Sequence, residues 1–415
     1  MTPKTISDQA GTSTASRDET AGTEQRFRVA VLNTHPIQYF APLYAYIQAH
    51  CPDIDLTVIY FSDSSIRGEF DTGFGEKIAW DMDLLHGYHY KFIGKNFKKT
   101  VPGGFWSLAT PSIWGELRRE KYDLVWLHGY AHAALLIALV AAKSVGSLVA
   151  LRGDSTLLLN NPGPKRVFRN AVLQILFKSF DVFFAVGARS RDYYRYQGVA
   201  PQKIISMPYA VDNLRFESSE RRPGSAGKPV VLFASKLVRR KDPFSFVDAA
   251  VSVLNSGAAT EFIIAGSGEL EKELKDRVPP NHRHAIRFIG FINQRALPTL
   301  MANATIFVLT SDWEPWGLVV NEAMAAGLAV ILSHDVGCCV DLLEDGINGL
   351  VVRAGAPDEL ARAILRITRT PGLAQAMGRS AKNKISRYSY EACVEGIRQV
   401  MGIKTQNQLG ESRGD

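Results

Sequence analysis

Short apolar runs alternate with longer stretches along most of this chain, and the alternation predicts its secondary structure. Runs such as 27–32 and 305–310 are short, apolar and rich in β-branched side chains, which is typical of strands buried on both faces of a parallel sheet. Each run is followed, after a loop, by a stretch long enough to form a helix. Repeated alternation of this kind predicts parallel sheets that are covered by helices.

The pattern predicts elements over most of the chain between residues 27 and 401. The predicted strands are 27–32, 54–60, 124–127, 148–151, 181–186, 204–207, 229–234, 261–265, 286–289, 305–310, 328–332 and 349–352. The predicted helices are a stretch that ends at residue 49, then 112–121, 131–144, 165–179, 189–197, 243–255, 269–277, 295–302, 318–326, 357–368, 373–387 and 390–401. Periodicity predicts no element between residues 62 and 110, which contain many glycine and aromatic residues.

The strand–helix alternation occurs twice, and a polar, glycine-containing stretch at 215–228 separates the two runs. The sequence therefore predicts an α/β protein with two doubly wound, Rossmann-like parallel-sheet domains that face a cleft. The N-terminal domain is expected at 27–214 and the C-terminal domain at 229–387. A chain of 415 residues is long for a single core, which agrees with two domains. The polar ends, 1–26 and 404–415, are predicted to be disordered tails.

Composition and charge narrow the classes of function. Hydrophobic residues make up 46% of the chain and charged residues 21%, as in an ordinary globular protein, and no run is long and apolar enough to span a bilayer. The four cysteines match no metal-site spacing and are too few to staple a secreted protein of this length. We therefore expect a cytoplasmic protein. The net charge is +7, but no RNA-binding module or zinc-finger spacing is present, so we expect no nucleic-acid partner.

Two acidic residues flank the start of the predicted helix at 318–326. Glu314 lies on the loop after a predicted strand, where open α/β sheets place their ligands. Glu322 lies early on a helix that is otherwise almost entirely apolar, and a buried carboxylate needs partners, such as two neighbouring hydroxyl groups of a ligand. The first-turn amides from Gly317 to Val319 have no partners within the helix and favour an anion. A sugar, a diphosphate and a ribose together fit this arrangement. Either glutamate alone would fit a helix-dipole or solvated-loop role as well.

The two glutamates, separated by seven residues, resemble the pair found in retaining nucleotide-sugar glycosyltransferases of the GT-B fold, and the stretch 311–327 is similar to glycosyltransferase family 4. The resemblance implies that Glu314 contacts the hydroxyl groups of the donor sugar and that Glu322 binds the ribose. It implies that the N-terminal domain lies on the acceptor side and that the C-terminal domain binds the nucleotide sugar. It also implies that a last helix at 388–403 crosses back onto the N-terminal domain.

Two lysines follow the first strand of the predicted C-terminal domain. Lys236 and Lys241 are cations at the end of a strand, where they would stabilise the charge that grows on a departing nucleoside diphosphate. The family usually has arginine then lysine at this spacing, so Lys236 lacks the bidentate fork of an arginine. His128, at the end of another predicted strand, matches a family histidine close to the donor sugar. The residues by themselves would also fit a solvated basic turn and a structural histidine.

The resemblance implies a full set of site residues. The catalytic residues are Glu314, Lys241, Lys236 and His128. The donor-binding residues are Glu322, Gly317, Leu318, Val319, Trp316, Gly266, Gly268, Phe291 and Ile292. The acceptor-side candidates are His35, Arg152 and Asp154, and the dipeptide His35-Pro36 departs from the two glycines that are usual there. No metal ligand is expected, because the resembled GT-B enzymes generally need no catalytic metal and no Asp-x-Asp motif follows the carboxyl end of a predicted strand. The Asp-x-Asp sequence at residues 81–83 lies in the unassigned region.

The sequence thus predicts a retaining, metal-independent glycosyltransferase of the hexosyltransferase type, without a cofactor. It would move a sugar from a UDP- or GDP-sugar donor to a hydroxyl group of a glycan, lipid-linked or small-molecule acceptor. The implied mechanism is front-face transfer, in which the donor's own phosphate takes the acceptor proton. Two alternatives stay open. One is a nucleotide-sugar epimerase or hydrolase on the same fold, and the other is a non-catalytic subunit that binds nucleotide sugar.

Much of the excess positive charge lies between residues 152 and 203, which contain nine Lys or Arg residues against three Asp. The predicted helix at 165–179 begins with basic residues, and its apolar positions are too numerous for one narrow stripe. This pattern favours a core-packing helix with a solvated basic end. The alternative is a basic surface that rests on anionic lipid at the inner face of a membrane. The basic residues concerned are Lys165, Arg166, Arg169, Lys178, Arg189, Arg191 and Arg195.

Overall fold

The computed structural model describes residues 26–411, apart from residues 72, 95, 159–162 and 218–226. The predicted tail at 1–26 therefore lies outside the described residues, except for its last residue. Most of the predicted linker at 215–228 and the last four residues of the chain lie outside them as well.

The elements alternate between strand and helix, as the sequence predicts, and most of their bounds agree with the predicted ones within two residues. The strands are β1 Phe27–Asn33, β2 Ile54–Tyr60, β3 Phe70–Asp71, β4 Glu76–Lys77, β5 His89–Phe92, β6 Leu124–His128, β7 Leu148–Gly153, β8 Val182–Ala185, β9 Ile204–Ser206, β10 Val230–Ala234, β11 Glu261–Ala265, β12 Ile286–Gly290, β13 Ile306–Leu309, β14 Ala329–Ser333 and β15 Gly349–Val352. The α-helices are α1 Ala41–His50, α2 Ser64–Arg67, α3 Ser112–Glu120, α4 Ala133–Ser144, α5 Pro164–Phe177, α6 Ala188–Tyr196, α7 Asn213–Glu217, α8 Pro243–Asn255, α9 Glu271–Arg277, α10 Leu297–Ala302, α11 Leu318–Ala325, α12 Cys339–Leu342, α13 Pro357–Arg369, α14 Leu373–Ile385 and α15 Tyr390–Glu411.

Two parallel sheets form the frame of the molecule. The first has the strand order β5-β2-β1-β6-β7-β8-β9, and the second has the order β12-β11-β10-β13-β14-β15. The pairings within both sheets are parallel. In each sheet the first strand in the sequence lies near the middle and the order reverses there. Such a reversal leaves a crevice at the carboxyl ends of the strands, where ligands bind in this class of fold. The predicted pair of doubly wound domains is confirmed.

Each sheet is covered by helices on both faces, and its interior strands are apolar for that reason. Every residue of β13 and β14 is buried, which explains why these runs read as continuously apolar instead of alternating. The predicted crossover helix is confirmed. Four residues of α15 lie in the core that covers one face of the first sheet, although α15 follows the second sheet in the sequence. They are Cys393, Val394, Ile397 and Val400.

Three local predictions differ from the structure. The helix α15 continues to Glu411, whereas a tail was predicted from residue 404, and α7 begins at Asn213 and runs into the predicted linker. The unassigned region supplies β5, which pairs with β2 at the edge of the first sheet, and the two-residue strands β3 and β4, which pair with each other. The sequence gives these segments no periodic signal, since strands of two to four residues are too short for one.

The helix α5 does not pack into the core as its apolar content suggested. Only Asn170, Leu173 and Phe177 of this helix are buried. By contrast Val167, Phe168 and Ile175 are 71%, 74% and 69% exposed. The expectation of a core-packing helix is therefore wrong for most of its apolar positions. None of the described helices combines the length and the apolar character needed to cross a bilayer.

Candidate active site

A cavity of about 1010 Å³ lies between the two sheets, at the carboxyl ends of their strands. Both domains contribute to its wall, so the cavity occupies the cleft that the alternation of elements predicted. Most of the predicted site residues line it. These are Glu314, Lys241, Lys236, Glu322, Gly317, Leu318, Val319, Trp316, Gly266, Phe291, Ile292, His35 and Asp154.

The start of α11 forms one side of the cavity. Gly317 precedes the helix with φ 95°, in the left-handed region that favours glycine, and this conformation turns the chain from the loop into the helix. Gly317, Leu318 and Val319 all line the cavity. Because the first amides of a helix have no acceptors within the helix, this end can bind an anion. Binding of a phosphate at this end of α11 remains a prediction.

Glu322 combines burial with a lack of protein partners. The residue is 2% exposed, and its Oε2 atom has no hydrogen-bond partner among the residues that the structure describes. Burial raises the pKa of the Glu322 carboxyl to about 8, against the opposing effect of the Arg215 charge. A buried carboxyl group without a hydrogen-bond partner destabilises the fold, so a structural role does not explain Glu322. It can instead exchange hydrogen bonds with a ligand that carries hydroxyl groups.

Glu314 is held by two cations from the loop after β10. Its Oε2 atom accepts hydrogen bonds from Arg240, at 2.8 Å, and from the Nζ atom of Lys241. Lys241 is 8% exposed, and this burial lowers the pKa of its ammonium group, while Glu314 opposes the shift. Arg240 also donates to the carbonyl oxygen of Trp313 at 3.0 Å, which fixes the loop that carries Glu314. The carboxylate is therefore positioned before any ligand hydroxyl approaches it.

Lys236 is paired with a residue of the first domain. Its Nζ atom lies 2.8 and 2.9 Å from the two carboxylate oxygens of Asp71 and 4.7 Å from the centre of the Phe74 ring. The Asp71 carboxylate accepts two further hydrogen bonds, from the backbone amides of Gly73 and Phe74. Neither Asp71 nor Phe74 was predicted as a site residue, because both lie in the region without periodicity.

The two glycines after β11 have a structural explanation. A Cβ atom at Gly266 would lie 1.9 Å from the carbonyl oxygen of Ser235, and one at Gly268 would lie 2.6 Å from that of Leu237. Both glycines have φ angles that disfavour other residues. They allow the loop after β11 to pack against the loop after β10. Gly266 lines the cavity, whereas Gly268 is not among its lining residues.

His128 and Arg152 also do not line the cavity as the described residues define it. The Nε2 atom of His128 is 2.9 Å from the hydroxyl of Tyr44, and its ring stacks on Trp126 at 4.8 Å between centroids. Burial and the nearby Arg152 charge lower the pKa of His128 well below its ordinary value, so the ring is neutral. Arg152 is 1% exposed and donates to the carbonyl oxygens of Met207 and Pro208. The Nε and Nη1 atoms of Arg152 are buried without a hydrogen-bond partner among the described residues. The predicted roles of His128 and Arg152 remain predictions.

Two titratable residues of the first domain face the cavity. Burial lowers the pKa of His35 to about 4, with a smaller effect of His132, so His35 is neutral at pH 7. Burial also raises the pKa of Asp154.

Trp316 is held by hydrogen bonds that reach the first domain. Its indole nitrogen donates to Asn321 at 2.9 Å, and Asn321 donates to the carbonyl oxygen of Tyr209 at 3.0 Å. Asn321 thus connects α11 to the first domain and holds the Trp316 ring.

The Asp-x-Asp sequence at residues 81–83 has a structural role. Both carboxylate oxygens of Asp81 lie 3.1 Å from the backbone amide of Arg295, and the amide of Asp81 donates to the Asn293 side chain. No group of three or more His, Cys, Asp or Glu residues with the arrangement of a metal site occurs in the described ranges. Metal independence remains a prediction.

Two family models match the chain. One, described as glycosyl transferases group 1, matches residues 215–384, and the other, described as a glycosyl transferase 4-like domain, matches residues 97–210. The two ranges together cover more than half of the chain. The first contains Glu314, Glu322, Lys236 and Lys241.

Several curated proteins are similar in sequence. An uncharacterized glycosyltransferase of Methanocaldococcus jannaschii is 31% identical over 164 residues, which are 39% of this chain and 42% of the relative. The alpha-D-kanosaminyltransferase of Streptomyces kanamyceticus is 26% identical over 52% of this chain and 59% of its own length. The UDP-Gal:alpha-D-GlcNAc-diphosphoundecaprenol alpha-1,3-galactosyltransferase of Escherichia coli is 24% identical over 66% of this chain and 73% of its own. The chain thus spans about half the length of the first two relatives.

Two solved structures show the same fold. Anabaena HepE in complex with UDP superposes with a TM-score of 0.69 and 18% identity, over 91% of this chain and 99% of that chain. The sucrose-phosphate synthase of Thermosynechococcus elongatus superposes with a TM-score of 0.66 and 16% identity, over 92% of this chain and 100% of that chain. At these identities the likeness is one of fold.

Proposed function

Since the chain belongs to the family 4 type of glycosyltransferases with the GT-B fold, we propose that it transfers a sugar from a nucleotide-sugar donor to a hydroxyl group of an acceptor. The proposal includes retention of configuration at the anomeric carbon and no requirement for a metal ion. The observation that carries it is the convergence of three features on one cavity. They are the buried, unpartnered Glu322 carboxyl, the amide end of α11, and the cations Lys236 and Lys241.

Each of these features suits one part of a nucleotide sugar. The carboxyl of Glu322 can bind the two hydroxyl groups of a ribose, and the amides at the start of α11 can bind a diphosphate. Glu314, oriented by Arg240 and Lys241, can accept hydrogen bonds from the sugar. A ligand that offered only one of these groups would not use all three features of the cavity.

The proposed reaction follows from this placement. The acceptor oxygen forms a bond to the anomeric carbon on the face from which the nucleoside diphosphate leaves, and the bond from that carbon to the phosphate oxygen breaks. The acceptor proton passes to the leaving phosphate. Lys241 and the α11 amides stabilise the negative charge that grows on the diphosphate, and they are most effective in the transition state, when this charge is largest.

The relatives suggest a donor and an acceptor class. The E. coli relative is named for UDP-galactose and for an undecaprenol-linked acceptor, and HepE has been solved with UDP and with UDP-glucose. On this basis we favour a UDP-sugar donor over a GDP-sugar donor and a glycan or lipid-linked acceptor.

One assay tests the proposal and separates it from the alternatives. The protein is incubated with UDP- and GDP-sugars, with and without polyprenyl-diphosphate-linked and oligosaccharide acceptors, in the presence of a metal chelator. Acceptor-dependent nucleotide release with an α-configured product from an α-configured donor is expected. Donor consumption without an acceptor would indicate an epimerase or hydrolase. Binding of donor without any release would indicate a non-catalytic subunit.

The exposed surface of α5 supports peripheral contact with an anionic membrane. It presents Val167, Phe168 and Ile175 to solvent beside the exposed cations Lys165 and Arg169. Apolar side chains next to basic ones fit the boundary between acyl chains and anionic headgroups. The helix begins after β7, whose carboxyl end leads to Asp154 in the cavity. A membrane at this surface would therefore lie near the acceptor side of the cleft.

Two other cations of the predicted basic surface, Arg189 and Arg195, contact protein groups instead. The guanidinium of Arg189 donates to the carbonyl oxygen of His334 in the second domain, and Arg195 lies 3.8 Å from Asp192. We therefore propose the membrane contact for α5.

Sedimentation with vesicles tests this contact. The protein should sediment with phosphatidylglycerol vesicles at low salt and be released as salt rises, because charge attraction is screened, and it should not sediment with phosphatidylcholine vesicles. Phe168→Ser combined with Lys165→Gln should abolish sedimentation while leaving transfer to a water-soluble acceptor intact. The control is Lys272→Gln with Lys275→Gln on the exposed helix α9. Equal recovery of the α5 variant and the wild-type protein would refute the contact.

A further inference from the structure

One wall of the cavity comes from residues 73–81 of the first domain, which are fixed on the second domain. The Asn293 side chain donates to the carbonyl oxygen of Ala79 at 2.8 Å, and the Ser267 hydroxyl donates to Glu76 at 2.5 Å. Asp81 accepts from the backbone amide of Arg295. These contacts follow the ends of β11 and β12. The segment is thus held at the edge of the second sheet by hydrogen bonds in its middle and at its carboxyl end.

Three aromatic rings meet where this segment reaches the cavity. The Phe74 and Phe291 rings are 4.9 Å apart with an angle of 72° between their planes, and the Trp80 and Phe291 rings are 6.2 Å apart at 62°. All three residues line the cavity and are partly exposed. Rings that meet edge to face form a corner, and the open faces of such a corner can receive another flat ring.

The distance from this corner to α11 suits a nucleoside diphosphate. Phe291 follows β12, which lies three strands away from β13, the strand that precedes α11. Neighbouring strands are about 4.8 Å apart, so the two ends of the site are separated by about 14 Å. A diphosphate bound at α11 and the lysines between them would place its nucleobase toward the aromatic corner. Stacking on aromatic side chains is a general means of binding a base.

Asp71 lies just before this segment in the sequence, and both of its carboxylate oxygens accept hydrogen bonds from the Nζ atom of Lys236. Gly73 leaves room for this lysine, since a Cβ atom there would lie 2.7 Å from the Cδ atom and 2.9 Å from the Nζ atom of Lys236 and would displace the end of its side chain. A lysine is a flexible point charge, unlike the planar fork of the family's usual arginine. The carboxylate of Asp71, itself fixed by two backbone amides, gives the ammonium group a defined position.

We propose that residues 73–81 complete the donor site from the first domain, with Phe74 and Trp80 enclosing the nucleobase against Phe291, and that Asp71 is a positioning residue for Lys236. This inference rests on the proposed function, because it assumes a nucleotide-sugar donor. Its consequence is that side chains of both domains contact the donor.

Calorimetry with UDP, GDP and inorganic pyrophosphate tests the nucleobase contacts. Phe74→Ala and Trp80→Ala should each weaken the better nucleotide by roughly 5- to 150-fold, the range of base stacking, and Trp80→Ala should leave pyrophosphate affinity unchanged. The control is Trp106→Ala, a residue that is 72% exposed and does not line the cavity as described. Nucleotide affinities within twofold of the wild-type value in both variants would refute these contacts.

A kinetic cycle tests the positioning of Lys236. Asp71→Asn and Gly73→Ala should each lower kcat about tenfold with little change in the acceptor KM, and neither should lower it further in a Lys236→Ala background. Independent, multiplicative effects would refute the positioning role. A wild-type protein that binds neither nucleotide would refute the proposed function itself. Nucleotide binding that does not depend on Phe74 and Trp80 would refute only this inference.

Discussion

Replacing Glu322 by glutamine removes a carboxyl group whose protonation the fold controls, and it should change stability and donor binding in opposite directions. In the folded protein the pKa of Glu322 is raised from its ordinary value of 4.5 to about 8, with burial as the cause. The folded state therefore holds the proton more tightly than the unfolded chain does. The stability of the wild-type protein is not reduced by this group below pH 4.5, falls as the pH rises from 4.5 to 8, and is lowest above pH 8.

The size of the effect follows from the shift. At pH 7 the Glu322 carboxyl is ionised in the unfolded chain, because the pH is 2.5 units above its ordinary pKa of 4.5, but it stays mostly protonated in the folded protein. Each unit is worth about 1.36 kcal/mol, so this difference lowers the free energy of unfolding by roughly 3 kcal/mol. Glutamine has nearly the same shape and no charge. Glu322→Gln should therefore have the stability of the wild-type protein at pH 5 within about 1 kcal/mol, and it should exceed that stability by roughly 3 kcal/mol at pH 7.

Urea denaturation between pH 5 and pH 9 measures this difference. Other titrating groups cancel in the comparison of variant and wild-type protein, and Glu273→Gln, an exposed site on α9, serves as the control. The same substitution should weaken UDP binding by about 1–3 kcal/mol at pH 8, because the ribose hydroxyls lose a charged acceptor. A stability difference that did not change with pH would refute the assignment of a buried, proton-holding carboxyl group to Glu322.

Three further changes test the rest of the site. Lys241→Ala should lower kcat on the order of a hundredfold and change donor affinity much less; an equal loss in both, measured by turnover and calorimetry, would contradict a transition-state role. Lys236→Arg should keep or raise turnover, and a defect as large as that of Lys236→Ala would contradict a cationic role. Asn321→Ala should reduce stability by about 2–3 kcal/mol in urea denaturation, since the Trp316 indole and the Tyr209 carbonyl lose their partner; an unchanged midpoint would contradict it.

Much of the fold follows from local sequence patterns. The strands β13 and β14 could be predicted because they are buried on both faces, and such strands are continuously apolar in the sequence. The arrangement of Glu314, Gly317 and Glu322 could be predicted for a related reason. These residues lie on one strand–loop–helix unit, so their relative positions depend on a short stretch of backbone.

The roles of other residues depended on contacts that no local pattern encodes. Asp71 reaches Lys236 across 165 positions of the sequence, and Phe74 and Trp80 reach Phe291 from a region without periodicity. The contact of His128 with Tyr44 likewise depends on how β6 and α1 pack. Short segments without a repeat carry no signal of where they will dock, which is why this wall of the cavity was missed.

The helix α5 has some properties that follow from its own sequence and others that depend on the elements around it. Its sequence determined that a helix forms and that it carries many apolar and basic residues, because both follow from composition and spacing along one segment. Whether Phe168 and Ile175 are covered depends on what packs against the helix, and in the tertiary structure they are exposed. The sequence thus determined the elements, their order and the residues that share one loop and helix. Only the tertiary structure decided which side chains meet across the cleft, because those contacts arise between segments that are distant in the chain and are selected by packing rather than by local conformation.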